Sequence, residues 1–399
     1  MSDRRTFLGN AAAAAVIRKI SSMRPFGFGT ERQETIDPTI SDCAKAGLRG
    51  PVKICVEETT GPPDGRGKYS TTTEYDPDGR LLTTRYTNSD GSEWLTAQIY
   101  NADGRLQKIT SGKVGEPGDE LLYAYDGTGR LIAITSPEKG GRTDFQYDEE
   151  GRKSGIQSFD PETLKRAQST SYAGSLWDAS VAAGVGVPIG GNIATIYNDK
   201  DLLTEQQLRD GQGRIVTRVV RNYDTNGRIL EEKQIHENPM SIFLDKAGTE
   251  GQSQPTAAQL EAMNKHMKVM LSGRNGTGTS YCYDAQGRVT EMHERNFWFE
   301  RLTTTSYNER GDKSEELQTM ANNLTVPAGV VFSMDENGEF VQDNPDAKPA
   351  EFPDEFFGKT KGSFAYQYDS YGNWTQQTTQ TLSGFGEVSA ICYRKLTYY

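Results

Sequence analysis

The chain has 399 residues, a formal net charge of −11 and a pI near 5.0, and no long run of Lys and Arg breaks the acidic background. Such a surface repels a nucleic-acid backbone, so nucleic acid is not expected as a partner. Only 34% of residues are hydrophobic while Gly (42) and Tyr (19) abound, and no segment offers the roughly 18 uninterrupted apolar residues of a membrane-spanning helix, which together suggest an all-β chain of many short strands.

Residues 1–46 read as leader and linker, polar and Gly-rich, and are expected to be disordered. Ser2-Asp3-Arg4-Arg5-Thr6-Phe7-Leu8 ahead of the alanine-rich run Ala11–Ile17 resembles a twin-arginine export signal. The apolar run stops at Arg18-Lys19, and no small-x-small cleavage site follows before Met23; the alternative is a basic tail on a cytosolic protein. A leading strand is expected over Gly47–Lys53. Cys43, Cys55, Cys282 and Cys392 are too scattered for a disulfide scaffold and lack zinc-ligand spacing. They are read either as up to two disulfides after export or, for Cys55, Cys282 and Cys392 in strand-like stretches, as buried thiols.

From residue 75 onward one pattern recurs: Tyr-Asp-x-x-Gly-Arg followed by an aliphatic residue. Clear copies are Tyr75–Gly79-Arg80, Tyr125–Gly129-Arg130, Tyr223–Gly227-Arg228 and Tyr283–Gly287-Arg288, with Asn101 replacing Asp in Tyr100–Gly104-Arg105. Weaker copies begin at Tyr147, Arg209, Tyr307 and Tyr368 (Tyr368–Gly372-Asn373-Trp374), and Tyr197-Asn198 is degenerate. The early spacing is regular, Tyr75, Tyr100, Tyr125 and Tyr147, which marks stacked supersecondary units.

Each copy reads as a hairpin turn, with Asp accepting from backbone N–H groups two residues on and Gly supplying positive φ for a type I turn plus bulge. Asp76 then faces Arg80 on one side of the sheet, and Tyr75 pairs with Leu81 on the other. The second side is expected to be interior. The residue six after the Tyr is aliphatic (Leu81, Leu106, Leu131, Ile229, Val289, and Ile215 in the Arg209 copy), and aromatic residues recur two before it at Tyr123, Phe145, Tyr281 and Tyr366.

Insertions are expected at 158–196, 236–280 and 317–362. The first holds Ala182–Gly191, too weakly polar for a solvated loop and read as buried strand or close backbone approach. The second holds a helix near 255–271, with Ser253 and Pro255 near its start and Leu260, Met263, Met267 and Met270 at helical spacing, packed on the sheet or left as a partner groove. The third carries Asp335, Glu336, Glu339, Asp343, Asp346, Glu351, Asp354 and Glu355, either a solvated acidic loop or a recognition surface.

Catalytic patterns are missing from the sequence. The three histidines, His236, His266 and His293, lie beside no nucleophile motif. Gly358-Lys359-Thr360 ends like a phosphate-binding loop, but Pro353 stands where its first Gly belongs. Acidic turns such as Asp76-x-Asp78-Gly79 fall short of calcium-loop spacing, so no catalytic residue, metal or cofactor is expected.

The Tyr-Asp-x-x-Gly-Arg copies between Tyr75 and Trp374 resemble the YD repeats of the RHS family, which includes the β-hairpin cages of bacterial RHS and Tc toxins and the shells of teneurins. The resemblance implies a hollow scaffold that encloses a cargo or presents adhesive surfaces outside the cell. No Asp-Pro-x-Gly-Leu segment follows the repeats, so the chain looks more like a small standalone bacterial member. The expectation is an all-β domain over 47–399, in which repeated antiparallel β-hairpins form a continuous twisted or spiralling sheet. Functionally it would be a non-enzymatic, extracytoplasmic module presenting loops to a protein or glycan. A carbohydrate-active enzyme with dispersed acids, or a toxin-associated cage fragment, is the alternative.

Overall fold

A computed structural model describes residues 41–60, 69–138, 140–158, 192–239, 256–325, 332–334, 340–342, 358–384 and 386–399. The first nine strands are β1 (Val52–Thr60), β2 (Tyr69–Tyr75), β3 (Leu81–Thr87), β4 (Glu93–Tyr100), β5 (Leu106–Lys113), β6 (Asp119–Tyr125), β7 (Leu131–Ser136), β8 (Gly141–Tyr147) and β9 (Lys153–Ser158). Eight more follow as β10 (Asn192–Tyr197), β11 (Leu203–Arg209), β12 (Ile215–Tyr223), β13 (Ile229–His236), β14 (Gly278–Tyr283), β15 (Val289–Arg295), β16 (Phe299–Tyr307) and β17 (Lys313–Asn322). The chain ends with β20 (Lys359–Tyr368), β21 (Trp374–Ser383) and β22 (Gly386–Tyr398), after a small separate hairpin of β18 (Phe332–Met334) and β19 (Phe340–Gln342).

Apart from that hairpin, twenty strands form one antiparallel sheet, each paired with its neighbours in sequence. β1 pairs with β2 on one side and with β22 on the other, so the sheet closes into a barrel. An even strand number lets the last strand meet the first antiparallel, and closure removes both edges. The sequence left the extent of curling open; the β1–β22 ladder decides it.

Alternation along each strand gives the wall two faces. The inward face carries the aromatic and aliphatic stripe. Ile109, Tyr123, Ile134, Phe145, Ile156, Ile193, Leu208 and Val219 pack across β5–β12 as one core, and Cys43, Leu48, Val52, Cys55 and Tyr75 form a second near the closure. The outward face bears cross-strand ion pairs, among them Arg85–Glu93 at 2.7 Å, Arg218–Glu237 at 3.1 Å and Arg295–Glu231 at 3.4 Å. The same face also bears exposed aliphatic side chains, among them Ile99, Leu122 and Ile196. Among the described residues no helix is long and apolar enough to cross a membrane.

Several boundaries differ from the sequence reading. Structure begins before residue 47, because Asp42–Lys45 forms a short helix, α1, capped by Ser41 with Cys43 buried beneath it. The leading strand starts at Val52, not Gly47. The helix, α2 (Ala257–Ser272), is capped by Thr256 in a reciprocal box with Gln259, so Thr256 and not Ser253 starts it. The outer insertions shrink, since β10 resumes at Asn192, β14 at Gly278 and β20 at Lys359, while β17 runs on to Asn322. Ala182–Gly191, Ser253, Pro255 and the eight acidic residues of 335–355 lie outside the described residues.

Candidate functional site

The two ends of the barrel are built differently. One rim carries nine connections of five residues each: 76–80, 101–105, 126–130, 148–152, 198–202, 224–228, 284–288, 308–312 and 369–373. Every one is flanked by a Tyr paired with the residue six later, through a register shift that marks a bulge. The opposite rim receives all the long connections, including 159–191, 237–277 and 323–358. The Arg209 copy also lies there, between β11 and β12, so its turn is not one of the Tyr series but a look-alike at the far end.

At the regular rim the turn geometry follows from its residues. Asp126 Oδ1 accepts from Thr128 N and Arg130 N, both at 2.9 Å, and Oδ2 takes Arg130 Nε at 2.8 Å. Asp76, Asp148, Asp224 and Asp284 hold Arg80, Arg152, Arg228 and Arg288 in the same way at 2.6–2.7 Å. These carboxylates are occupied by their own turns. Gly129 sits at φ +90°, where a Cβ would also meet the Arg105 guanidinium at 2.1 Å. In the degenerate copy Asp201 takes the Gly position at φ 58°, and Asn198 Oδ1 still accepts from Lys200 N and Leu202 N.

Adjacent turns are clamped by two contacts, between residues about 20 apart where the repeat is unbroken and 54 or 55 apart across the 237–277 insertion. The Tyr hydroxyl donates back to the carbonyl of the preceding copy's aliphatic residue: Tyr100 to Leu81 at 2.9 Å, Tyr125 to Leu106, Tyr283 to Ile229 and Tyr147 to Leu131 at 2.7 Å, and Tyr223 to Leu203 at 2.5 Å. The Arg of one copy lies over the next Tyr ring, as Arg80 over Tyr100, Arg105 over Tyr125, Arg130 over Tyr147, Arg228 over Tyr283 and Arg288 over Tyr307, at 4.6–5.9 Å. Arg130 is therefore an inter-repeat clamp as well as the exposed pair member read from sequence. Leu202 replaces this Arg in one copy, and beside it a cavity of about 560 Å³ opens between turns 198–202 and 224–228.

The closure reproduces a tenth turn from the two chain ends. Val52 pairs with Tyr398 through the same kind of register shift, and Tyr399 N donates to Pro51 O as Asp76 N does to Arg80 O. Asn373, in the Arg position of the last copy, is buried and reads the backbone of Arg49, donating to its carbonyl at 2.8 Å and accepting from its N–H at 2.7 Å. The Tyr371 and Tyr398 rings stack at 4.4 Å, Gly372 O accepts from the Arg49 guanidinium, and Arg394 covers the Trp374 ring at 3.6 Å. α1 completes the seam, with Cys43 N bonded to Gly79 O and Asp42 accepting from Leu81 N.

The irregular rim is held by Asn323, fully buried. Its amide donates to Gly276 O at 2.9 Å and Asn296 O at 2.6 Å and accepts from Asn275 N, while its carbonyl takes Arg274 N and its N–H reaches Trp298 O. Three connections thus meet at one side chain. α2 rests there against β13 and β19, burying Met263 and Leu271, and Val269 O accepts from Thr325.

No catalytic constellation assembles among the described residues, and none of their His, Cys, Asp and Glu groups clusters as a metal site. The inward Glu57, Glu232, Glu294 and Glu316 face Arg394, Arg221, Arg301 and Lys313 as ion pairs. His236 is buried beside Thr217, whose hydroxyl lies 3.1 Å from Nδ1, and burial lowers its pKa to about 4. His266 is half-buried on α2. The four cysteines are free thiols; Cys43 and Cys55 are buried, whereas Cys282 is exposed and Cys392 half-buried, against the expectation for both, and burial raises Cys55 to about 12.

A family model described as RHS Repeat matches residues 123–163, which include the Tyr125 and Tyr147 turns. The chain carries the RHS repeat. No match was found among curated proteins. Among solved structures, a porin-like protein from Bacteroides uniformis is 9% identical over 88% of this chain and 99% of its own, with a TM-score of 0.30. A TcdB2-TccC3 structure without its hypervariable C-terminal region is 11% identical over 80% of this chain and 20% of that one, with a TM-score of 0.26. Superpositions this loose carry no argument about what the barrel does. In RHS-repeat terms the sequence showed the turn and missed the clamp. The Arg-over-Tyr contact follows the order of the turns and not a fixed offset, since the spacing runs from 17 residues for Arg130 and Tyr147 to 55 for Arg228 and Tyr283 where an insertion intervenes.

Proposed function

We propose that this chain is a non-enzymatic, exported RHS-repeat shell that presents its irregular rim to a protein or glycan partner. One observation supports this above the others: every long connection leaves the barrel at the same end, while the opposite end is a uniform ring of five-residue turns. A scaffold stabilised by contacts between adjacent hairpins tolerates variation where chain leaves the repeat, and recognition tends to sit in such loops. The ion pairs on the outer wall agree with a free-standing shell, and the ion-paired inward carboxylates Glu57, Glu232, Glu294 and Glu316 with a non-catalytic one. Export rests on Arg4-Arg5 and the alanine run behind them. The test joins a glycan array and pull-down to a variant with 326–357 replaced by a short Gly/Ser link. The expected result is an unchanged β-sheet circular-dichroism spectrum with loss of the protein captured in the pull-down; unchanged capture would reject the rim.

A further inference from the structure

We propose that the inner wall beside the irregular rim carries a saccharide platform made of Tyr69, Tyr86 and Trp94. The inference rests on the reading of the shell as a binding module and moves the contact from the loops to the wall. These residues share the inward face, since Thr71 pairs with Tyr86 on the Tyr75 side and Tyr86 pairs with Trp94 on the Tyr100 side. At the regular end of the same strands the inward aromatic is covered, with Tyr75 only 5% exposed. Near the irregular rim Tyr69 is 38% and Trp94 49% exposed.

The rings are arranged and held. Tyr69 and Tyr86 lie 6.0 Å apart and 33° from parallel, and Trp94 follows on the next strand, one strand spacing of ~4.8 Å further. The Trp94 indole N–H donates to Ser111 Oγ at 3.0 Å, and that hydroxyl is bonded to Thr96 Oγ1 at 3.0 Å. The polar edge of the indole is thereby satisfied and its face left open. Thr59, Thr71, Thr84 and Thr96 flank the row on the inward face. The nearest inward cation, Lys113, is held by Glu116 at 2.7 Å.

A row of open aromatic faces among hydroxyls, with the neighbouring inward charges Glu57 and Lys113 each held in an ion pair, matches a pyranose chain, whose C–H face stacks on rings while its equatorial hydroxyls bond to the Thr and Ser groups. Other partners fit less well. An extended peptide would dock by adding a strand, but the closed barrel offers no edge there. Single-stranded nucleic acid also stacks on aromatics, yet it requires the cationic groove that this acidic chain lacks.

The experiment titrates the full chain with cellohexaose, chitohexaose and maltohexaose, followed by calorimetry and tryptophan fluorescence. Saturable binding of at least one is expected, weakened tenfold or more by Trp94→Ala, several-fold by Tyr86→Ala, and little by Trp94→Phe, with unchanged melting. Replacing 326–357 should leave this affinity intact, which separates the wall from the loops. No saturable response to any of the three, or equal affinity in the wild type and Trp94→Ala, overturns the platform. Loss of glycan binding on replacing 326–357, with Trp94→Ala binding normally, overturns it in favour of the rim.

Discussion

Within one repeat each recurring residue makes a different bond, so substitutions should separate. Tyr125→Ala removes a half-buried ring and its hydroxyl bond to Leu106 O, at a cost of about 3 kcal/mol. Gly129→Val forces a β-branched residue to φ +90° against Arg105, about 2 kcal/mol. Arg130→Ala loses the contact over Tyr147, about 1 kcal/mol. Urea denaturation should rank the three in that order. Conversely, Leu202→Arg supplies the guanidinium missing over the Tyr223 turn, with room in the cavity beside it, and should raise the melting temperature.

Acid should weaken the fold in two stages. Burial holds His236 at about 4, below its ordinary 6.5, so the unfolded chain takes up that proton first and stability falls from about pH 6.5 to 4, by about 3 kcal/mol. Asp126, held low by the Thr128 hydroxyl and then by Arg130, and Asp224, held low by the Arg228 N–H, contribute stability above the ordinary carboxylate range that is lost as pH falls below it. His236→Gln should flatten the first stage in pH-dependent denaturation and leave the second.

At the scale of elements, the boundary of the third insertion decides what can be removed. Leu317 pairs with Lys361 and Thr319 with Lys359, so deleting 317–362 would take out the β17–β20 ladder and open the barrel. Deleting 326–357 spares it and spares the Asn323 bonds. The first variant should lose its cooperative melt and aggregate through two new edges, whereas the second, which removes the β18–β19 hairpin and its contact with α2, should elute as wild type and keep a cooperative melt. The Tyr period lapses by residue 317, but strands continue past the last recognisable motif residue because their ladders, not their turns, fix their length.

At the scale of the molecule, the ends of the described chain meet where a tenth turn belongs. Joining Tyr398 to Val52 through Asp-Pro-Asp-Gly-Arg and opening the chain at 137–140 should give a permuted protein with the same sheet spectrum and a cooperative melt. A non-cooperative melt would show that the α1 and Asn373 contacts, not turn geometry, close the barrel.

The local pattern was legible because it is written in neighbouring residues. Asp and Gly at fixed offsets dictate the turn, and the Tyr125/Leu131 pairing with Tyr123 behind it dictates the inward face, since both follow from period-two alternation. The helix at 257–272 was legible for the same reason, although its cap residue was not. What joins residues far apart stayed hidden. The Arg clamp on the next Tyr, the Arg209 turn at the far rim and the gathering of the long connections at one end depend on which strands lie side by side and in which direction they run. Closure depends on β22 finding β1 across more than 300 residues of sequence, in a register that Tyr398, Val52 and Asn373 settle together. No local propensity encodes that meeting; it is fixed by twenty strands whose accumulated twist and curl bring two edges within hydrogen-bonding distance.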